Sequence, residues 1–168
     1  MNFNKLNINE LILKDSIKNS KDIIIQPFNS FYTPKVYVPF GISEYKKSFS
    51  LNLQLRHLNN NDELIEFKEF IEKLETKLKD LLEISDNEFI SQLRINPDSK
   101  YDPIVYTKII NKFDKLECTV INNSNENLNI YDIGSKFYCK CLLSLDKVWL
   151  FRNKYSYKFK LRELIIED

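Results

Sequence analysis

Residues 136–162 read KFYCKCLLSLDKVWLFRNKYSYKFKLR, and they alternate between apolar and polar or charged positions. Alternation places successive side chains on opposite faces of a β-strand, so that one face can pack into a core. The pattern predicts strands at 136–143, 147–151 and 155–166. In the last strand the side that is predicted to face the core holds Tyr155, Tyr157, Phe159 and Leu161.

The same stretch is basic and rich in aromatic residues. It contains eight lysines and arginines against one acid, Asp146, which leaves a local charge of +7, whereas the whole chain carries +1. Cations interleaved with aromatic rings can hold a phosphate backbone and stack bases. Alternation, together with the turn residue, selects the side chains that would form this surface: Lys136, Tyr138, Lys140, Lys147, Trp149, Phe151, Lys154, Lys158, Lys160 and Arg162.

Two alternatives stay open for this surface. The cations could form an ordinary solvated face that keeps a sheet edge soluble, and a helix could cover that face. Trp149, the single tryptophan, could equally belong to the core.

Upstream, residues 49–55 (FSLNLQL) alternate cleanly and predict a half-buried strand. An amphipathic segment comes next, in which apolar residues recur every three or four positions from Leu64 to Leu81. This spacing predicts a long helix at about 62–84 that packs on the sheet. A shorter helix is predicted at about 86–94.

The composition predicts one ordered domain over residues 1–168 with a mainly β (α+β) fold. Of the 168 residues 43% are hydrophobic and 29% charged, and a chain of this length can bury a core without disulfides or metal. No apolar run approaches the roughly 18 residues that span a bilayer. The polar N-terminus does not fit a secretory signal, so we expect an intracellular protein.

Catalytic and metal-binding patterns are missing from the sequence. Cys139 and Cys141 are spaced to share one strand face, and we expect them to be buried, reduced thiols. The single histidine, His57, has no partner at catalytic or metal-ligand spacing. Neither a P-loop nor a dinucleotide-binding glycine pattern occurs. We therefore expect no enzyme activity, no cofactor and no metal.

Several motifs, taken in order, are similar to those of a protein family. They are Ile25-Gln26-Pro27, Val38-Pro39-Phe40-Gly41-Ile42, the alternating strand, the long helix, the strand that begins at Pro103, and Val148-Trp149 followed by Tyr157-Lys158-Phe159-Lys160-Leu161. Over roughly residues 23–166 this order resembles single-stranded-DNA-binding-like proteins of nucleocytoplasmic large DNA viruses. That family is distantly similar to the helix-destabilising proteins of short-tailed phages.

The resemblance implies an OB-like antiparallel β-barrel with one long helix. It also implies binding of single-stranded DNA, with RNA as the alternative ligand, without sequence reading, in replication, repair or recombination. Expected partners are viral replication or virion proteins and a second copy of the chain, with no membrane. The expected location is the host cytoplasm or viral factory of a giant virus, with packaging in the virion as an alternative.

The chain also departs from the family. Ser156 occupies a position where a glycine is usual, and the acidic end, Glu163 to Asp168, is far shorter than the acidic tail of the phage proteins. The alternative function is that of a virion structural or scaffold protein. It would dock other proteins through the apolar stripe of 64–81 or the aromatic segment 27–40.

Overall fold

The computed structural model describes residues 1–98 and 100–167 and consists of two β-sheets and one long helix, α1 (Asp62–Leu82). The strands, in chain order, are β1 (Ile12–Asp15), β2 (Ser20–Ile24), β3 (Ser30–Tyr32), β4 (Val36–Val38), β5 (Ile42–Tyr45), β6 (Ser48–Gln54), β7 (Phe89–Ile90), β8 (Leu93–Arg94), β9 (Ile104–Lys112), β10 (Lys115–Glu117), β11 (Thr119–Asn122), β12 (Phe137–Ser144), β13 (Lys147–Phe151), β14 (Lys154–Tyr157) and β15 (Phe159–Glu167).

Five strands close into a barrel in the order β4–β6–β9–β15–β12, with β12 pairing back to β4. The pattern of β6 explains its place there, because Leu51 and Leu53 point inward and are fully buried while Asn52 and Gln54 point outward. The OB-like α+β fold expected from the sequence is confirmed. The barrel is not wholly antiparallel, however, because β15 runs parallel to β9.

The second sheet has the order β1–β2–β13–β14–β7. The single strand predicted over 155–166 is wrong, because the segment divides at Lys158 between this sheet and the barrel. Its apolar face remains continuous: Tyr157 packs on Phe89 with ring centroids 5.8 Å apart, and Phe159 packs on Phe31 at 6.1 Å. The outward side of β14 therefore continues through Lys158 onto the outside of the barrel.

Helix α1 agrees with the predicted helix within two residues. Asn61 caps its start, where the side-chain oxygen accepts a hydrogen bond from the backbone N–H of Leu64 at 3.2 Å. Its apolar stripe is buried from Leu64 to Leu78, with Leu81 exposed at the end, and Phe67 and Phe70 pack against Phe31. Because the stripe belongs to the core, it is not a free docking surface, which corrects that part of the scaffold hypothesis.

The short helix predicted at 86–94 does not form. One turn of 3-10 helix covers Asp86–Glu88, and the chain then enters β7 and β8. A capping box between Ser85 and Glu88 closes this single turn. Backbone pairing of β7 with β14 and of β8 with β9 then keeps the chain extended. Sheet pairing thus overrides the local helical pattern.

A buried carboxylate ties α1 to the second sheet. Glu75 is 7% exposed, and it accepts hydrogen bonds from the Tyr157 hydroxyl, the Ser91 hydroxyl and the Gln92 backbone N–H. Burial, and then the charge of Glu75, raises the pKa of Tyr157. The hydroxyl therefore stays protonated and donates to the carboxylate.

Cys139 and Cys141 lie on the inner face of β12, as the strand alternation predicts, whereas Cys118 is half-buried between β10 and β11. Cys139 and Cys141 are fully buried with their sulfurs 3.7 Å apart, and burial raises the pKa of Cys118 to about 12. Among residues 1–98 and 100–167, no three or more His, Cys, Asp or Glu side chains are grouped to hold a metal ion. In the same ranges no helix has the length and apolar character needed to cross a membrane.

Candidate nucleic-acid interface

The ten residues that the sequence predicts for a binding surface divide between two parts of the structure. Six lie on the barrel or at its edge, namely Lys136, Tyr138, Lys140, Lys158, Lys160 and Arg162. Four lie on the β13–β14 hairpin of the second sheet, namely Lys147, Trp149, Phe151 and Lys154. One continuous three-stranded surface does not form, because β13 pairs with β14 and β2 rather than with β12 or β15.

The predicted cations differ in how far they are neutralised. Lys147 is bonded to Asp22 and Ser16, and its hydrogen bond lowers the pKa of Asp22. Lys160 forms an ion pair with Asp146 at 2.7 Å. The other lysines of the set are exposed, namely Lys136, Lys140, Lys154 and Lys158.

The β13–β14 hairpin presents two aromatic rings to solvent. Trp149 is 40% exposed and Phe151 is 69% exposed, so Trp149 is not a core residue. Trp149 faces Ser156 across the hairpin, and the Arg152 guanidinium lies 5.1 Å from the centroid of the Phe151 ring. The ring of Phe151 and the positive charge of Arg152 therefore lie together at the tip of the β13–β14 hairpin.

A second set of residues crosses the outside of the barrel, and of these the sequence predicted only Tyr138. Tyr138 on β12 is the register partner of Tyr37 on β4, and their ring centroids are 5.0 Å apart. The Arg56 guanidinium lies 4.4 Å from the Tyr37 ring and the Lys35 ammonium 5.3 Å from the Tyr138 ring. We call these four residues, Lys35, Tyr37, Arg56 and Tyr138, the aromatic row.

A groove of about 310 Å³ continues from the aromatic row across β6 and β9. Four residues lie side by side across neighbouring strands. Tyr37 on β4 pairs with Gln54 on β6, Gln54 pairs with Ile104 on β9, and Ile104 pairs with Arg94 on β8. Arg94 donates a hydrogen bond to the Tyr106 hydroxyl at 3.3 Å, and this bond raises the pKa of Arg94. Two further rings in the groove are strongly exposed, Phe40 at 64% and Tyr101 at 63%.

Lysines connect the groove with the second sheet. Lys108 on β9 is the register partner of Lys160 on β15. Although Lys158 as a whole is exposed, partial desolvation of its ammonium group, and then the charge of Lys108, lowers the pKa of Lys158. Because Lys158 directly follows β14, these three lysines lie between the barrel groove and the β13–β14 hairpin.

Apart from Tyr138, the residues of the aromatic row and groove were not predicted, because they come from distant segments that only strand register brings together. Tyr37, Arg56, Arg94 and Tyr106 each look ordinary in their own stretch of sequence. The sequence did indicate one part of the groove, because Asn52 and Gln54 lie on the polar, outward face of the strand predicted at 49–55. Their partners on β9 could not be assigned without the register.

Comparisons with solved structures give the same fold. The chain is similar to the single-stranded DNA-binding protein of bacteriophage Enc34 in its C-terminal truncation, at 10% identity and a TM-score of 0.59 over 96% of this chain and 97% of that one. The Enc34 protein in complex with single-stranded DNA gives 11% identity and a TM-score of 0.57 over 94% of each chain. The chain is also similar to gp2.5, the single-stranded DNA-binding protein of bacteriophage T7. The identity is 11% and the TM-score is 0.52 over 83% of this chain and 91% of that one.

These structural neighbours are phage single-stranded DNA-binding proteins with an OB-like barrel, and this chain shares their fold. No family model matches the chain. A search of curated proteins likewise gives no match.

Proposed function

We propose that this protein binds single-stranded DNA without reading its sequence. The observation that supports this proposal is the aromatic row and its groove on the outside of the barrel. There the exposed or half-exposed rings of Tyr37, Tyr138, Phe40 and Tyr101 lie beside the guanidinium groups of Arg56 and Arg94. Oligonucleotide-binding barrels use the corresponding face, together with the loop that joins their last two strands. In this chain that loop is the β13–β14 hairpin with Trp149 and Phe151.

In the proposed mechanism, cations hold the phosphates and rings stack the bases. Lys136, Lys140 and Lys158 neutralise phosphates beside the groove, and Lys154 and Arg162 extend the charged path. Bases stack on Tyr37 and Tyr138 and on the rings of the hairpin, each stack contributing about 1–3 kcal/mol. Every base has a flat face, so stacking of this kind tolerates any sequence.

The proposal extends to the biological setting. The motif order resembles that of proteins from nucleocytoplasmic large DNA viruses, and we assign the chain to such a virus. Its role would be to protect single strands during replication, repair or recombination, without catalysis, in the host cytoplasm or viral factory. Viral replication or virion proteins and a second copy of the chain are the proposed protein partners.

Fluorescence anisotropy with a labelled oligo-dT of about 30 nucleotides tests the binding proposal. Replacing Tyr37 and Tyr138 by leucine keeps apolar bulk but removes the two rings on which bases would stack, so we expect affinity to fall by about 1–3 kcal/mol for each lost base stack. The matched control is Phe28→Leu, because Phe28 is 60% exposed and lies outside the row and groove. A wild-type protein that fails to bind even at low salt would refute the proposal.

A further inference from the structure

The tip of the β9–β10 hairpin combines three features that each lower stability. Phe113 and Asp114 form the two-residue turn with φ of 52° and 60°, a conformation that bulky residues rarely adopt. Phe113 is 89% exposed. Lys112 and Lys115 lie directly opposite each other, where like charges are unfavourable. Such local costs, gathered at one point, are expected where a site has a function.

The neighbouring β5–β6 hairpin has a similar composition. Lys46 and Lys47 form its turn with φ of 47° and 62°. The Lys46 ammonium lies 5.3 Å from the ring centroid of Tyr45, which is 73% exposed. Asn111 joins the two hairpins, because its side-chain amide donates a hydrogen bond to the Lys47 carbonyl oxygen at 3.4 Å. Two exposed rings therefore lie at neighbouring tips.

The chemistry of the two tips fits a nucleic-acid strand better than an apolar partner. Four lysines lie at the turns, namely Lys46, Lys47, Lys112 and Lys115, and the nearest acids in the sequence are Glu44 and Asp114. Exposed rings set among cations match a ligand that alternates phosphates with flat bases. We call Tyr45, Phe113 and these four lysines the hairpin-tip site.

Strand β9 connects this site to the barrel groove. Its outward positions run from Tyr106 in the groove through Lys108 to Lys112 at the tip. Phe113 lies seven residues after Tyr106, which corresponds to about 23 Å along an extended strand. A stacked strand advances about 3.4 Å per nucleotide, so a strand of about 4 nucleotides spans only about 10–14 Å and cannot reach from the groove to the hairpin-tip site. A strand of about 30 nucleotides can occupy both together.

We propose that the hairpin-tip site is a second contact for the bound single strand, with one base stacked on Phe113 and phosphates held by the surrounding lysines. The inference rests on the proposed function and adds a dependence on strand length. A strand that ends within the groove gains nothing from the site. A strand that reaches the tip gains one stack and several ionic contacts.

The test compares oligo-dT of about 4 and about 30 nucleotides on wild type and Phe113→Asn, at low salt so that binding of the short strand is measurable. Asparagine suits the positive φ of this turn, so the variant removes the ring without disturbing the hairpin. We expect affinity for the long strand to fall about five-fold or more, and affinity for the short strand to stay unchanged. Leu81→Gln is the control, because Leu81 is 40% exposed on α1 and its replacement should change neither value.

The outcomes separate the two proposals. A Phe113→Asn variant that binds both strands like wild type, or loses affinity equally for both, overturns the hairpin-tip site and leaves the proposed function intact. A wild type that binds neither strand overturns the proposed function itself. A second readout uses Phe113→Trp in a Trp149→Phe background. Quenching by the long strand alone supports the site, and unchanged emission with the long strand bound overturns it.

Discussion

Gly41 lies at a close approach between two loops, next in sequence to the groove residue Phe40. It follows Phe40 and adopts φ of 70°, a left-handed conformation that glycine enters without steric cost. A Cβ at this position would lie 2.4 Å from the carbonyl oxygen of Gly134, which belongs to the backbone and cannot rotate away. The Pro-Phe-Gly-Ile motif of the sequence therefore corresponds to a close approach between two loops.

We predict that Gly41→Ala destabilises the protein by about 2–4 kcal/mol, because the strain of a left-handed alanine adds to the clash. Gly134→Ala is the matched control. Gly134 has φ of 67°, but a Cβ on this residue would meet no atom within 4 Å, so only the strain of about 1–2 kcal/mol remains. Urea denaturation measures the free energy of unfolding of both variants. Equal losses of this free energy would show that the close approach to Gly134 does not constrain the loop.

Single residues also show where sequence reasoning succeeds. The exposure of Lys136, Lys140 and Phe151 follows from alternation, because each lies opposite an apolar face that the core must bury. The pairing of Tyr37 with Tyr138 could not be predicted, since 101 positions separate them. Local patterns therefore identified outward-facing residues but not their neighbours.

Among the elements, α1 depends on a buried carboxylate that its amphipathic pattern does not reveal. Glu75 is one of several glutamates on the helix, yet it alone receives hydrogen bonds from Tyr157, Ser91 and Gln92 within the described residues. Removing an acceptor of this kind leaves buried donors unsatisfied.

We predict that Glu75→Gln lowers the free energy of unfolding by about 1–3 kcal/mol, because an amide replaces one accepting oxygen with a donor. Glu72→Gln is the control on the same helix. The Glu72 side chain is 47% exposed and, among residues 1–98 and 100–167, forms an ion pair only with Lys68 at the surface, so its loss should cost about 0.5 kcal/mol or less. Urea denaturation compares the two variants. Similar denaturation midpoints would contradict the view that the hydrogen bonds of Glu75 stabilise the packing of α1 on the second sheet.

The strands and helix illustrate which structural features a sequence pattern carries. Helix α1, β6 and β13 agree with the predictions because their periodicity and their burial have the same cause. The division at Lys158 was missed because the apolar alternation runs through it unchanged from Tyr157 to Phe159. Two sheets share one continuous buried face, and no local signal marks where the pairing partner changes.

For the whole molecule, net charge is a poor guide to binding. The chain carries only +1, and α1 holds many of its acids and lysines on a solvated face. The exposed lysines beside the aromatic row form a local positive region instead. A local region of this kind is expected to govern both the affinity for a polyanion and its salt dependence.

Two variants with the same net charge separate local from global electrostatics. Lys136→Gln/Lys140→Gln removes two exposed lysines on either side of Tyr138, and Lys5→Gln/Lys73→Gln removes two exposed lysines near α1. The log–log slope of affinity against salt changes by about 0.7 for each phosphate that the protein no longer neutralises. We therefore expect the first variant to bind oligo-dT with a slope shallower by about 1.4, and the second to keep the wild-type slope.

Anisotropy titrations at several salt concentrations measure both slopes. Equal slopes in the two variants would mean that overall charge governs association, and the placement of phosphates beside β12 would then fail.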